Sequence, residues 1–305
     1  MRGDFDLNNT RTDLASEARE IWQESTRGKS ELHGVYAEDS VTEGFSVSRV
    51  KILNDDGAKK LGKPRGSYTT IELSGISRRD TDSFPRAIRA VAKELSALLP
   101  KGSGTVLVAG LGNRGITPDA IGASAISHIM VTRHLVDTLP ELFGKMRPVS
   151  AVAPGVLGMT GVESGEIIRG VAESVSPDCI IVIDALASMR LERLCKTVQI
   201  TDTGIVPGSG VGNARAAICE KTMGFPVIAI GVPTVINIAT IIEGFAADSK
   251  ISLPKSALDD FGEKLLVTPK DIDIHIADMG RIIGYAVNSA MQKGITIEEM
   301  DEFLS

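Results

Sequence analysis

Aromatic side chains make up only 4% of this 305-residue chain, and it has three cysteines. With so few large rings, Ile, Val, Leu and Ala must fill the core. A 43% hydrophobic content with 31 glycines suits an α/β sheet with tight loops. Cys179, Cys195 and Cys219 are an odd number with no Cys-x-x-Cys pair and no metal-ligand spacing. They read as reduced, mostly buried thiols of a cytosolic protein. A basic excess is also missing. The net charge of −6 argues against gripping nucleic acid through its phosphates; it is compatible with a basic partner, but is also the commonest state of an ordinary cytosolic enzyme, which is the plainer reading. No apolar run approaches the ~20 residues needed to span a bilayer. The polar N-terminus MRGDFDLNNTRTDLASEARE lacks a stretch for export, so neither membrane nor secretion is expected.

Several catalytic signatures are absent as well. There is no His-Glu-x-x-His, and His128 and His134 lie six apart, not on the i, i+4 spacing of a zinc helix. All four histidines read as surface or packing residues. Gly-x-Ser-x-Gly fails because Pro207 stands where its first glycine should precede Gly208-Ser209-Gly210.

What is present is a change of pattern along the chain. Residues 1–30 are mostly polar, with Leu14, Ala18, Ile21 and Trp22 loosely spaced for one helical face. A small strand-rich section follows at about 35–80, alternating over Phe45–Val50 and Tyr68–Leu73 with turn residues between. From about 85 to 293, helices alternate with apolar strands. Pro85 opens a helix, and 105–109, 150–153, 179–183, 196–200 and 227–230 read as strands. Pro118 is expected to start a long helix to about Leu139, and Thr160 with Glu163 to cap the next one. A last helix is expected from Pro269 to Lys293-Gly294. The fold expected is α/β, a mostly parallel central sheet flanked by helices, with working residues outside the carboxyl ends of its strands.

Gly110-Leu-Gly-Asn-Arg-Gly115 fits a dinucleotide pattern, but Ile116-Thr117-Pro118 separates it from the helix that should begin inside it. Asp137, at the distance of a ribose-binding acid, falls within a helix. The plainer reading is a glycine loop that lets backbone approach a cleft; a nucleotide-binding regulatory protein is the alternative. Gly208-Ser-Gly-Val-Gly-Asn213 reads as a tight loop, or as an amide nest for an oxyanion or a peptide carbonyl.

Two acids stand near strand ends. Asp119, in Thr117-Pro118-Asp119, has a plain structural reason, because a first-turn acid stabilises the helix dipole. It also lies just beyond a strand. Asp184 follows Ile180-Ile181-Val182-Ile183, where a carboxylate is costly unless paired, hydrogen-bonded or used. If the two face each other across a cleft, one keeps a proton while the other deprotonates water, and an amide can be hydrolysed without metal, serine or cysteine.

Longer motifs narrow the choice. Gly110-Leu-Gly-Asn113 with Thr117-Pro-Asp-Ala120, Arg147-Pro-Val-Ser-Ala151, Pro154-Gly-Val-Leu-Gly-Met-Thr-Gly161 and Ile183-Asp-Ala-Leu-Ala187 resemble the germination protease family of endospore-forming bacteria. So do Gly204-Ile-Val-Pro-Gly-Ser-Gly-Val-Gly-Asn213, Val227-Ile-Ala-Ile-Gly-Val-Pro-Thr234 and Val267-Thr-Pro-Lys270, and the similarity runs from about residue 7 to 293. The resemblance implies an atypical aspartic endopeptidase of the spore core, with a fold similar to hydrogenase-maturation peptidases. It implies small acid-soluble spore proteins as substrates, cut after an acidic residue, a homotetramer, and no metal or other cofactor. By motif, the catalytic aspartates fall on Asp119 and Asp184. The family is made as a precursor, and Thr12-Asp13-Leu14-Ala15-Ser16-Glu17 looks like its substrates' cut site. Residues 1–13 are therefore expected to be a propeptide, removed by self-processing between Asp13 and Leu14, and 14–305 a single peptidase domain. A connection of only Phe245 to Leu266 stands where family members often carry a longer charged insertion. A nickel-sensing maturation peptidase using the same carboxylates is the second alternative.

Overall fold

A computed structural model describes residues 12–26, 32–76, 80–249, 251 and 265–305, and among them nine strands form one sheet. In chain order these are β1 (Val35–Thr42), β2 (Phe45–Ile52), β3 (Gly66–Glu72), β4 (Val106–Gly110), β5 (Val149–Val152), β6 (Cys179–Ser188), β7 (Thr197–Thr201), β8 (Val227–Asn237) and β9 (Leu266–Val267). Across the sheet they run β1-β2-β3-β7-β8-β6-β4-β5, with β9 paired to β8. The half from β8 to β5 is parallel, and the rest is antiparallel. The α/β class with flanking helices is as expected. The strand-rich section is not set apart, because β3 pairs with β7 and extends the same sheet.

Strand alternation sorts the apolar side chains between two faces. Val106, Val108, Ile181, Ile183, Ile228 and Ile230 pack against the helices Ser83–Leu98 and Ile272–Met291. Leu107, Ala109, Ile180 and Val182 face Ile168 and Ala172 of the helix Ser164–Val175. Ile180, Ile181 and Ile183 are fully buried, each stabilising the fold by roughly 1.5–3 kcal/mol. A third cluster joins Ala15, Ala18 and Trp22 of the helix Ala15–Thr26 to Val50, Ile52, Leu61 and Tyr68. The helix Ala15–Thr26 is thus docked on the antiparallel half, not solvated as its polar sequence suggests.

Three expectations need correction. The single helix from Pro118 to Leu139 is instead a 3-10 turn, Thr117–Asp119, followed by separate helices Ile121–Ile126 and Arg133–Thr138. Groups from elsewhere supply the bonds that a continuous helix would make for itself. Asn288 accepts from the Met130 N–H and donates to the His128 carbonyl, while the Thr132 N–H is taken by Val149 O. The cap ahead of Ser164–Val175 is also shifted. The Glu163 N–H donates to Glu166, and Thr160 ends a short helix, Leu157–Thr160, with its hydroxyl turned to Val162 O. The strand carrying Asp184 does not stop at Ile183. β8 continues to offer a partner, Gly231 opposite Asp184, and β6 runs on to Ser188 with a register shift between Leu186 and Ala187.

Most of the 245–266 connection, residue 250 and residues 252–264, lies outside the described residues, as do residues 1–11. Among the described residues no helix is long and apolar enough to cross a membrane. Cys179 and Cys195 are buried, and burial pushes their thiols up to about 11 and about 12. Cys219 is half-buried.

Candidate active site

β4 ends at Gly110, opposite Ile183, so Asp184 is the first residue of β6 to run past the end of its neighbour. A cleft of ≈ 540 Å³ opens there, and Asp119, Asp184 and Asp13 all line it. Asp119 reaches it from the 3-10 turn that Pro118 pre-sets. Gly112 makes the close approach possible. Its φ is +96°, and a Cβ there would lie 1.9 Å from the Asp119 carbonyl oxygen. The Asn113 N–H just beyond donates to Asp119 Oδ2 at 2.8 Å. The glycine loop therefore brings backbone to a cleft, as its plainer reading had it.

The two carboxyl groups differ in setting. Asp184 is 5% exposed, and among the described residues its Oδ1 accepts the adjacent Ala185 N–H at 2.9 Å. Burial pushes its pKa well above the ordinary carboxylate value; the charges of Asp119 and then Asp13 push the same way. Asp119 is raised as well, by burial, with the Asn113 N–H opposing the shift. A buried acid beside a second, better solvated one is the arrangement in which one proton is shared unequally.

The linkage has a definite sign. Asp184 binds its proton more tightly in the folded state than in the unfolded chain. Stability therefore falls as pH rises above the unfolded carboxylate value, about 3.9, and stays lower above the folded pKa. Asp184→Asn should remove that penalty. The variant is expected to be more stable than the parent at pH 7, by about 1–3 kcal/mol, with the gap closing toward pH 4. Urea denaturation at both pH values measures it; equal stability at pH 7 would contradict the burial of an ionisable acid here.

Asp13 is the third acid, and it is tightly held. Its Oδ2 accepts the Ala187 N–H at 2.9 Å and its Oδ1 the Ser209 hydroxyl at 2.8 Å. Its own N–H donates to Ala187 O at 3.2 Å. Gln199 brackets the Asp13–Leu14 bond: its Nε2 donates to Asp13 O at 3.0 Å and its Oε1 accepts the Ala15 N–H at 2.7 Å. Lys63 Nζ donates to Thr12 O at 2.8 Å. Burial lowers the Lys63 pKa, and the charges of Asp13 and Glu17 oppose that shift. Leu14 itself is fully buried.

Asp119 and Asp184, expected from sequence, thus share one cleft, and Asp13 of the expected cut site joins them. Gln199 and Lys63 were not singled out, and Ser209 was read only within its glycine-rich loop and as the serine of a failed nucleophile pattern. Gln199 carried a readable signal, as a polar residue inside the strand Thr197-Val-Gln-Ile-Thr201, where burial demands a partner. Ser209 sits in the glycine-rich loop, where Gly208 and Gly212 both have φ +73°. Nothing local marked Lys63. The nickel alternative needs ligands, and among the described residues no group of three or more His, Cys, Asp or Glu is arranged to hold a metal ion.

The profile of a family described as germination protease matches residues 15–248. A germination protease of Caldanaerobacter subterraneus subsp. tengcongensis is 44% identical over 96% of this chain and 98% of its own length. One from Clostridium perfringens is 42% identical over 97% of this chain and 99% of its own. Among solved structures, a NiFe hydrogenase maturation protease from Thermococcus kodakarensis aligns at 15% identity and a TM-score of 0.38, over 65% of this chain and 98% of its own.

Proposed function

The chain belongs to the germination protease family, and from that premise we propose that it is an aspartic-type endopeptidase worked by Asp119 and Asp184 and made as a self-processing precursor. Its substrates in this reading are small acid-soluble spore proteins, cut after an acidic residue in the germinating spore core. Residues 1–13 are its propeptide, and residues 14–305 are one peptidase domain. Assembly as a homotetramer belongs to the same reading, with the exposed Leu139 and Leu142 as apolar surface on offer.

The chemistry follows from the unequal settings of the two acids. Asp119, the less buried and held by the Asn113 N–H, is the carboxylate; Asp184 keeps the proton. Asp119 takes a proton from water as the water oxygen bonds to the scissile carbonyl carbon. Asp184 gives its proton to the carbonyl oxygen. The tetrahedral intermediate then collapses: the C–N bond breaks, the nitrogen leaves with the proton that Asp119 had taken, and Asp184 recovers its own. A donor aimed at the carbonyl oxygen helps as negative charge grows there, and Gln199 Nε2 already contacts the carbonyl of Asp13.

The observation that carries this reading is the place of Asp13. The residue before the expected cut lies in the cleft of both acids, close enough for its charge to act on Asp184. Incubating the full-length chain should give a product whose first residue is Leu14, read by intact-mass spectrometry. A chain that stays whole, or is cut only elsewhere, would sink the self-processing part. Failure to cut an acid-containing spore-protein peptide as well would remove the peptidase assignment of these residues.

A further inference from the structure

Asp13 is gripped more specifically than a passing chain segment needs. Both carboxylate oxygens have a donor, Ala187 N–H on one and the Ser209 hydroxyl on the other. Its backbone N–H meets the carbonyl of the same Ala187, so main chain and side chain are fixed together by one residue of β6. Ala187 N–H can only donate, which favours an acceptor-only group opposite it. The Lys63 ammonium lies within electrostatic range of Asp13, supplying charge of the opposite sign.

Space has been cleared for this carboxylate. A Cβ on Gly210 would fall 2.2 Å from Asp13 Oδ2 and 2.6 Å from the Ala187 Cβ. The pocket therefore exists only because position 210 carries no side chain. Left-handed glycines, Gly208 and Gly212, flank the short 3-10 turn from which the exposed Ser209 donates to Asp13.

We propose that Ala187 N–H, Ser209 Oγ and the space at Gly210 form the subsite that reads the acidic residue preceding the cut bond, with Asp13 occupying it in the unprocessed chain. This rests on the peptidase reading above. Ser209 and Gly210 become specificity-determining residues, distinct from the acids that perform hydrolysis. Asp119 and Asp184 set how fast a bound peptide is cut; the Ser209 pocket sets which peptide is bound in register.

The test uses two ten-residue peptides, this chain's own 10–19 sequence and the same sequence with asparagine in place of its aspartate. The parent protein, once residues 1–13 have been removed, should cut the aspartate peptide about 10–100-fold faster, as expected for hydrogen bonds to a charged group. Ser209→Ala should reduce that ratio about tenfold. Gly210→Ala should slow the aspartate peptide by at least about tenfold, because the added methyl occupies the carboxylate's place. An unchanged ratio in Ser209→Ala, or full activity in Gly210→Ala, overturns the assignment while the peptidase reading stands. If the parent cuts neither peptide, the peptidase reading itself falls and takes the subsite with it.

A second measurement needs no activity. In the full-length chain carrying Asp184→Asn to prevent processing, Asp13→Asn and Ser209→Ala are combined and their unfolding constants compared. The pair should be non-additive by several-fold, as residues in contact are. Strict additivity would mean that the pocket does not hold the carboxylate, whatever the peptides show.

Discussion

Asp119→Asn and Asp184→Asn should each lower the rate of peptide cleavage by at least about a thousandfold, and the double variant should be hardly worse than either. The non-additivity matters as much as the loss. In the proposed mechanism the two acids form one device, a base and an acid sharing a single proton, so removing one leaves the other nothing to work with. Folding is not the reason for the loss. An asparagine at 119 can still accept the Asn113 N–H, and one at 184 is expected to stabilise the protein at neutral pH. Steady-state kinetics on an acid-containing peptide, with melting curves alongside, separates these outcomes. Substantial turnover by both single variants would remove the mechanism. A protein that becomes more stable as it becomes inactive would show that the buried acid is kept at a cost in stability for its chemistry.

Arg193→Met is the second large effect, and it concerns the docking of the first helix. The Arg193 side chain is 8% exposed and stands among three carboxylates: Glu17 at 3.6 Å, Glu20 at 2.6 Å and Glu72 at 3.3 Å. It also donates to Ser16 Oγ at 3.3 Å. Glu17 is fully buried, and its hydrogen-bond partners among the described residues are neutral, the Thr12 and Ser188 hydroxyls and the Met189 N–H, with Lys63 acting on it only through its charge. Removing the guanidinium leaves a buried carboxylate without the cation that contacts it, and breaking a buried pair in this way typically costs about 3–5 kcal/mol. The loss should be concentrated on residues 12–26, because Glu17 and Glu20 belong to that helix while the rest of the sheet keeps its packing. Hydrogen exchange should show that helix opening more readily while β4, β6 and β8 stay protected, and urea denaturation gives the total. Protection of residues 12–26 unchanged from the parent would contradict the role assigned to Arg193. The segment matters for function because the same residues carry Asp13 into the cleft.

Much of the site could be read from local pattern. The apolar run Cys179–Ile183 announces a buried strand, and a carboxylate directly after it needs a reason. Thr117-Pro118-Asp119 announces an acid in a first turn, and the Gly110–Gly115 loop announces close backbone approach. Boundaries were less legible where distant residues compete for backbone groups. The helix expected to run to Leu139 breaks because Asn288 takes the Met130 N–H and the His128 carbonyl from a helix more than 150 residues further on. No window around residues 118–139 holds that information. Strand length behaved the same way: β6 outruns its apolar stretch because β8 supplies partners as far as Ile236.

Composition, periodicity and motif order by themselves determined the α/β class, the sheet covered by helices, and two acids following apolar runs, because these depend on the burial pattern of consecutive residues. Tertiary structure alone decided that Asp13 shares their cleft, that Gln199, Ser209 and Lys63 hold its segment there, and that Arg193 anchors the helix behind it. Those contacts span roughly 50 to nearly 200 positions of sequence. Such closure depends on how the whole sheet folds up, and no local spacing encodes it.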